Sequence, residues 1–173
     1  MNRAQRGTAQ AIGEAVNESR EETGQVKKHI LLADDDPGVR ELLGRVLESE
    51  HYQVTFARTG REAAAKFASD LPDIVLLDIN MPDKDVWAAF RLMNTAHTLV
   101  PVIVITARPN QYPQARELGV DAFMEKPLNL PVLFDTIRRL LAEPEAERTR
   151  RLIDPNFNTE FLNDISPRRG EST

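Results

Sequence analysis

The chain has 173 residues, of which 41% are hydrophobic, so it can form one domain of ordinary size with a buried core and flanking tails. It contains no cysteine, which excludes disulfides, thiolate catalysis and cysteine-ligated zinc or iron–sulfur sites. Its net charge of −5 argues against direct nucleic-acid binding, because nucleic-acid-binding proteins usually present a basic face.

Nothing in the sequence resembles a membrane-targeting segment. No apolar run reaches the roughly 18 residues that a membrane-spanning helix needs. The N-terminal segment also lacks the apolar stretch of a secretory signal peptide. We therefore predict a cytoplasmic protein that does not enter a membrane.

The composition divides the chain into three zones. Residues 1–27 are polar and have little to bury, which predicts a disordered N-terminal extension. Residues 28–142 alternate between strand-like and helix-like patterns and form the predicted folded domain. Residues 143–173 are polar again and form a C-terminal tail, in which Phe157, Phe161 and Leu162 are available to dock on the domain or on a partner.

In the central zone, short apolar runs predict strands, and apolar residues three or four positions apart predict helices. The predicted strands are 29–33, 53–56, 73–77, 100–105 and 122–124. Helices are predicted after Asp36, at 59–69, 85–94 and 111–118, and after Asn129. Asp36 and Asn129 are predicted N-caps, and Thr59 with Glu62 forms a predicted capping box.

These elements make five strand–helix units in about 115 residues. Short links between alternating strands and helices predict a parallel sheet with right-handed crossovers and helices on both faces. Five units are too few for an eight-stranded barrel. The predicted fold class is therefore α/β, with an open, doubly wound, five-stranded parallel sheet.

Reactive side chains lie at or just past the ends of four of the predicted strands. In chain order they are Asp34, Asp35, Asp36, Asp78, Thr106 and Lys126. The carboxyl ends of the strands in such a sheet share one edge, and ligands bind there. Clustered carboxylates repel one another unless a cation neutralises them, and their hard oxygen atoms suit Mg²⁺. The sequence therefore predicts a magnesium site at this edge, with Asp36 serving as a helix cap and not as a ligand.

Four segments resemble the signature segments of bacterial two-component response regulator receiver domains. They read ILLADDDPGVRELL, PDIVLLDINMP, VIVITA and FMEKP. The similarity covers residues 28–142, and each reactive residue falls at the matching strand end. The resemblance implies a flavodoxin-like sheet with strand order 2-1-3-4-5.

The resemblance also implies a role for each matched residue. Asp78 would be the phosphorylated residue, and Lys126 would pair with the phosphoryl oxygens. Thr106 would move to hydrogen-bond the phosphoryl group, and Phe123 would be the switch aromatic that follows it. The implied Mg²⁺ ligands are Asp35, Asp78, the backbone carbonyl of Asn80 and, through water, Asp34.

Two further residues are predicted to affect the lifetime of the phosphorylated state. Asn80 and Arg108 occupy positions that flank the phosphoryl group in related receivers, so the resemblance implies that they set this lifetime.

The segment between Thr106 and Lys126 departs from the family pattern. Only 20 positions separate the two residues, two fewer than in the family pattern, and Pro109 and Pro113 lie in between. The fourth helix is therefore predicted to be short or displaced.

Two other functions remain open from the sequence. A haloacid-dehalogenase-type phosphatase would use Asp34 of the formal Asp-x-Asp motif as its nucleophile. A degenerate receiver would act only as a binding module, although Asp34, Asp35, Asp78, Thr106 and Lys126 are all present. The favoured interpretation is a signalling phosphoacceptor and not an enzyme acting on external substrates.

The predicted partners follow from that interpretation. A histidine kinase or phosphotransfer protein would donate the phosphoryl group. The residues after Ala142 are too few for a DNA-binding effector domain, so a downstream protein of unknown identity would read the switch. A homodimer is also compatible with the sequence.

Overall fold

A computed structural model of the chain describes residues 27–82, 86–97 and 99–163. Of the predicted disordered extension 1–27, residues 1–26 lie outside the described residues, as do residues 83–85, 98 and 164–173.

The described chain alternates strands and helices as the sequence predicts, with small shifts at the element ends. The strands are β1 (His29–Ala33), β2 (Gln53–Ala57), β3 (Ile74–Asp78), β4 (Val102–Thr106), β5 (Ala122–Glu125) and β6 (Glu160–Phe161). The helices are α1 (Pro37–Ser49), α2 (Gly60–Asp70), α3 (Val86–Ala96), α4 (Tyr112–Glu117), α5 (Leu130–Ala142) and α6 (Glu145–Ile153). None of the described helices is long and apolar enough to cross a membrane.

The strands form a single parallel sheet in the order β2-β1-β3-β4-β5-β6. The prediction of a parallel, doubly wound sheet is confirmed, but the prediction of five strands is wrong. The sixth strand has two residues, Glu160 and Phe161, which pair with Ala122 and Phe123 of β5. A strand this short lies in a polar segment and shows no hydrophobic period, so the sequence pattern does not reveal it.

The core has two layers, one on each face of the sheet. Strands β3 and β4 are buried along their whole length, and their alternate side chains point to opposite faces. One layer packs the sheet against α2, α3 and α4, and includes Phe67, Phe90 and Phe123. The other packs it against α1 and α5, and includes Leu43 and Ile137.

The helix caps hold the strand–helix links in place. The Asp36 carboxylate accepts hydrogen bonds from the N–H groups of Gly38 and Val39, which confirms it as the N-cap of α1. Thr59 and Asn129 likewise cap α2 and α5. The capping box differs from the prediction in one respect, because Glu62 accepts its reciprocal hydrogen bond from the N–H of Arg58 and not from that of Thr59.

Helix α4 is short, as the two prolines predict. It has six residues, with Pro113 in its first turn. Gly119 follows with a φ of +74°, a left-handed conformation that glycine adopts without steric cost. The chain therefore turns within a few residues from α4 into β5, which carries Phe123, the predicted switch aromatic, and leads to Lys126.

Candidate functional site

The predicted site residues meet at the carboxyl edge of the sheet. Asp34 follows β1, Asp78 is the last residue of β3, Thr106 is the last residue of β4, and Lys126 follows β5. Strands β1, β3, β4 and β5 are neighbours in the sheet, so their ends bring these four side chains together.

A single ammonium group joins the two buried acids. The Nζ atom of Lys126 lies 2.8 Å from Oδ2 of Asp78 and 2.9 Å from Oδ2 of Asp34. The Asp34 and Asp78 side chains are only 3% and 2% exposed, whereas Lys126 is 21% exposed. Lys126 therefore neutralises part of the negative charge and still reaches solvent.

Backbone groups fix the other oxygen of each acid. The N–H of Asn80 donates to Oδ1 of Asp78 at 2.6 Å, and the N–H of Asp36 donates to Oδ1 of Asp34 at 2.8 Å. Both contacts span two residues, a turn geometry that aspartate favours. The two carboxylates are therefore held in fixed orientations.

Arg40 supports this arrangement, although the sequence did not single it out. Its guanidinium group donates to the backbone carbonyl of Asp34 at 2.6 Å. The contact ties α1 to the loop that carries the acids. An arginine on an otherwise ordinary amphipathic helix gives no sequence signal for such a role.

Three carboxylates at this edge could hold a metal ion. Oxygen atoms of Asp34, Asp35 and Asp78 lie within 4.8 Å of one another, and the Asp35 side chain is exposed. Hard oxygen donors with one solvent-facing member suit a partly hydrated Mg²⁺ ion. The donor chemistry therefore fits the predicted cofactor.

The electrostatics of the cluster favour binding of a further cation. Burial raises the pKa of Asp78 above its ordinary value, and the nearby Asp34 carboxylate adds to this, against the lowering effect of Lys126 and the Asn80 N–H. Burial would lower the pKa of Lys126, but its hydrogen bonds with Asp78 and Asp34 raise it above the ordinary value. Lys126 is therefore charged at neutral pH, and ionised Asp78 lacks full compensation.

Thr106 and the predicted lifetime residues form a chain of contacts beside Asp78. The buried Thr106 hydroxyl accepts a hydrogen bond from the N–H of Arg108 at 2.9 Å. The Nε of Arg108 donates to the side-chain oxygen of Asn80, also at 2.9 Å. Arg108 thus links the end of β4 to the loop after β3, through the side-chain amide of Asn80.

The predicted switch aromatic, Phe123, is completely buried. Its ring centre lies 5.7 Å from that of Tyr112 in α4 and 5.8 Å from that of Phe161 in β6. The Tyr112 and Phe161 rings also contact each other, at 5.1 Å. Phe123 therefore belongs to an aromatic cluster that includes Phe161 of the C-terminal segment, for which the sequence left docking on the domain or on a partner open.

The sequence is similar to known signalling proteins. Residues 30–138 match the response regulator receiver domain family. Response regulator MprA of Mycolicibacterium vanbaalenii is 40% identical over 114 residues, which cover 65% of this chain and 49% of MprA. Transcriptional regulatory protein KdpE of Staphylococcus aureus is 36% identical over 115 residues, which cover 65% of this chain and 49% of KdpE. The chain spans about half the length of these curated relatives.

Solved structures show the same fold. A CheY-like receiver domain protein from Methanospirillum hungatei has a TM-score of 0.64 at 26% identity, covering 72% of this chain and 98% of that one. The response regulator TrrA from Thermotoga maritima, crystallised in complex with Mg²⁺–BeF, has a TM-score of 0.61 at 31% identity. That alignment covers 65% of this chain and 98% of TrrA.

Proposed function

Because the chain belongs to the response regulator receiver family, we propose that it is a two-component switch that accepts a phosphoryl group on Asp78. The observation that carries the proposal is the pair of buried carboxylates, Asp34 and Asp78, that share the Lys126 ammonium group at the carboxyl edge of the sheet. This edge is where parallel α/β sheets bind their ligands.

The same cluster supports a role for Mg²⁺. Asp34, Asp35, Asp78 and the backbone carbonyl of Asn80 would hold the ion, which when bound neutralises negative charge at the acceptor and on the incoming phosphoryl group. TrrA, a structural neighbour, was crystallised in complex with Mg²⁺–BeF, which supports this assignment.

The transfer step follows from the position of Asp78. One carboxylate oxygen attacks the phosphorus atom of a phosphohistidine on the donor protein, forming an oxygen–phosphorus bond. The phosphorus–nitrogen bond breaks, and the departing imidazole nitrogen keeps the electron pair and takes up a proton. Lys126, which already contacts Asp78, then pairs with the phosphoryl oxygens.

Thr106 would report the new group to the rest of the domain. Its hydroxyl would leave the N–H of Arg108 and donate to a phosphoryl oxygen. The movement would vacate space that Phe123 can fill, and so change the surface formed by α4, β5 and α5. That surface is our proposed site for a downstream protein, with a histidine kinase or phosphotransfer protein as the upstream partner.

The Arg108–Asn80 contact is proposed to slow dephosphorylation, because it joins the end of β4 to the loop after β3 beside the acceptor and would hinder the approach of an attacking water. We expect Arg108→Ala to accelerate loss of the phosphoryl group several-fold without changing the site of modification. Arg116→Ala, which removes an exposed arginine from nearby α4, is the matched control. Intact-mass measurements over time give the rate at which each variant loses the phosphoryl group. Equal rates in the two variants would show that Arg108 does not affect the lifetime.

Labelling with acetyl phosphate and Mg²⁺ tests the proposed function directly. We expect the wild-type protein to gain one phosphoryl group that hydroxylamine removes, and the Asp78→Asn variant to gain none. Asp135→Asn is the control, because it removes an exposed acid of α5 that lies outside the cluster. Labelling of Asp78→Asn at the wild-type level would refute the assignment, and its loss only in Asp34→Asn would favour a phosphatase-type nucleophile.

A further inference from the structure

The segment that follows α5 is built into the domain at the side edge of β5. We call residues 143–163 the strap; it contains α6 and β6. The N–H of Glu160 donates to the carbonyl of Asp121, and the N–H of Leu162 donates to the carbonyl of Phe123. These parallel-strand contacts occupy the edge that β5 would otherwise present to solvent.

Buried charge anchors the first part of the strap. The Asp121 carboxylate, 3% exposed, accepts two hydrogen bonds from Arg148, at 2.7 and 3.0 Å, and one from Arg151 at 2.9 Å. Arg148 itself is 5% exposed, and Arg151 also pairs with Glu143 at 2.7 Å. A two-pronged arginine contact of this kind fixes the orientation of α6.

The last part of the strap contacts the residue next to Lys126. The side-chain amide of Asn163 accepts a hydrogen bond from the N–H of Glu125 at 2.5 Å and donates one to its carbonyl at 2.8 Å. The following N–H, that of Lys126, donates to the carbonyl of Thr106 at 2.8 Å. The strap thus holds the end of β5 where the acceptor site begins.

Phe161 is the second link between the strap and the site. Its ring packs on both Phe123 and Tyr112, and the Tyr112 hydroxyl donates to the carbonyl of Thr159 at 2.8 Å. Because β4 and β6 lie on opposite sides of β5, a movement of Phe123 toward the space beside Thr106 would draw its ring away from Phe161. Docking of the strap would therefore oppose the rearrangement proposed above for the phosphorylated state.

We propose that the strap is a cis-acting inhibitory element, which masks the β5 edge and favours the unphosphorylated state of Asp78. The inference rests on the proposed function and adds a means of regulation to it. Because coupling between two sites is reciprocal, phosphorylation must weaken strap docking by the same factor by which docking weakens the phosphorylated state. Release of the strap would expose a strand edge and the aromatic surface of Tyr112 and Phe123 to an extended segment of a partner.

Beryllofluoride with Mg²⁺, a mimic of the aspartyl phosphate, measures this coupling in the full chain. We expect Phe161→Ala to bind it at least about fivefold more tightly than wild type, the low end of usual coupling between sites. Asn163→Ala, which removes only the Glu125 clamp, should shift the affinity in the same direction. Ile153→Ala is the control, because Ile153 lies in the strap but its side chain is exposed.

A locked strap should have the opposite effect. The chain has no cysteine, so Ala122→Cys combined with Glu160→Cys introduces a single disulfide between residues that pair in register. We expect the oxidised form to bind beryllofluoride at least about fivefold more weakly than the reduced form of the same protein. His29→Cys with Gln53→Cys, a paired position of β1 and β2, controls for the disulfide itself.

The outcomes separate the inference from the function on which it rests. Hydrogen exchange of residues 159–163 should accelerate when beryllofluoride binds, and should stay slow in the locked form. If wild type binds beryllofluoride but the strap variants match it, or shift in the opposite sense, the strap is a purely structural element and the inference is overturned. If wild type does not bind it at all, the proposed function fails, and the inference with it.

Discussion

Among the described residues, two clusters of charged side chains have buried members, one at the carboxyl edge of the sheet and one beneath the strap. In the first, Asp34, Asp35 and Asp78 face one cation, Lys126, so that two negative charges are left over when all three acids are ionised. In the second, Asp121 and Glu143 face Arg148 and Arg151, and the charges cancel.

The pKa values follow this difference in balance. Burial raises the pKa of Asp78 in the first cluster, whereas the hydrogen bond from Arg151 lowers the pKa of Glu143 in the second. A balanced cluster is complete and holds two parts of the fold together. An unbalanced cluster carries uncompensated negative charge, which a bound metal ion can neutralise.

Breaking the balanced cluster should have the largest effect on stability. We expect Asp121→Ala to lower the free energy of unfolding by about 3–5 kcal/mol, because it removes the main partner of a buried guanidinium group. The backbone N–H of Val102 also loses its carboxylate acceptor. Urea denaturation measures the effect, with Asp135→Ala as an exposed control; similar losses in the two variants would contradict the buried anchor.

Breaking the unbalanced cluster should lower the free energy of unfolding by a smaller amount, and bound Mg²⁺ should offset part of that loss. Lys126→Ala leaves Asp34 and Asp78 without their shared cation, for an expected loss of about 2 kcal/mol at neutral pH, reduced because this edge opens to solvent. We expect added Mg²⁺ to raise the melting temperature of Lys126→Ala more than that of wild type, and to raise that of Asp121→Ala only as much as that of wild type, because Asp121→Ala leaves the acidic cluster unchanged. Equal responses to Mg²⁺ would contradict the distinction between the clusters.

Removing an uncompensated charge should stabilise the fold. Because the folded-state pKa of Asp78 is raised, its ionisation disfavours folding as pH rises from the ordinary value of 3.8 through the raised one. Asp78→Asn is therefore expected to be more stable than wild type at neutral pH, by on the order of 1 kcal/mol, with the advantage fading in acid. Thermal melts across pH check this, and a constant difference would show that ionisation of Asp78 is not its cause.

The balanced cluster should show the opposite pH dependence, with the smallest effect. The lowered pKa of Glu143 means that its charge contributes stability above the ordinary value of 4.5, and the contribution is lost as pH falls through the folded-state pKa. Glu143→Gln should therefore cost less than about 1 kcal/mol at neutral pH and nothing in strong acid. Thermal melts across pH measure this loss of stability. If Glu143→Gln were more stable than wild type at neutral pH, the stabilising role of the Glu143 charge would be contradicted.

Much of the acidic cluster could be predicted from the sequence alone. Asp34, Asp78, Thr106 and Lys126 each stand at the end of a strand whose apolar run is visible in the chain, and parallel strands share one carboxyl edge. The positions of these residues along the chain were therefore enough to predict that their side chains lie close together in the fold. Arg40 and the Arg108–Asn80 contact could not be predicted in this way, because side-chain reach across a loop leaves no period in the sequence.

The strap shows what only the tertiary structure decided. Arg148 lies in a run of charged residues that is typical of a solvated helix face, yet it is buried because Asp121, 27 residues earlier, meets it. Strand β6 has two residues and forms only because β5 leaves an edge free beside it. A strand–helix pattern is set by neighbouring residues and can be read along the chain, whereas the pairing of a short polar segment depends on the surface that the rest of the fold presents to it.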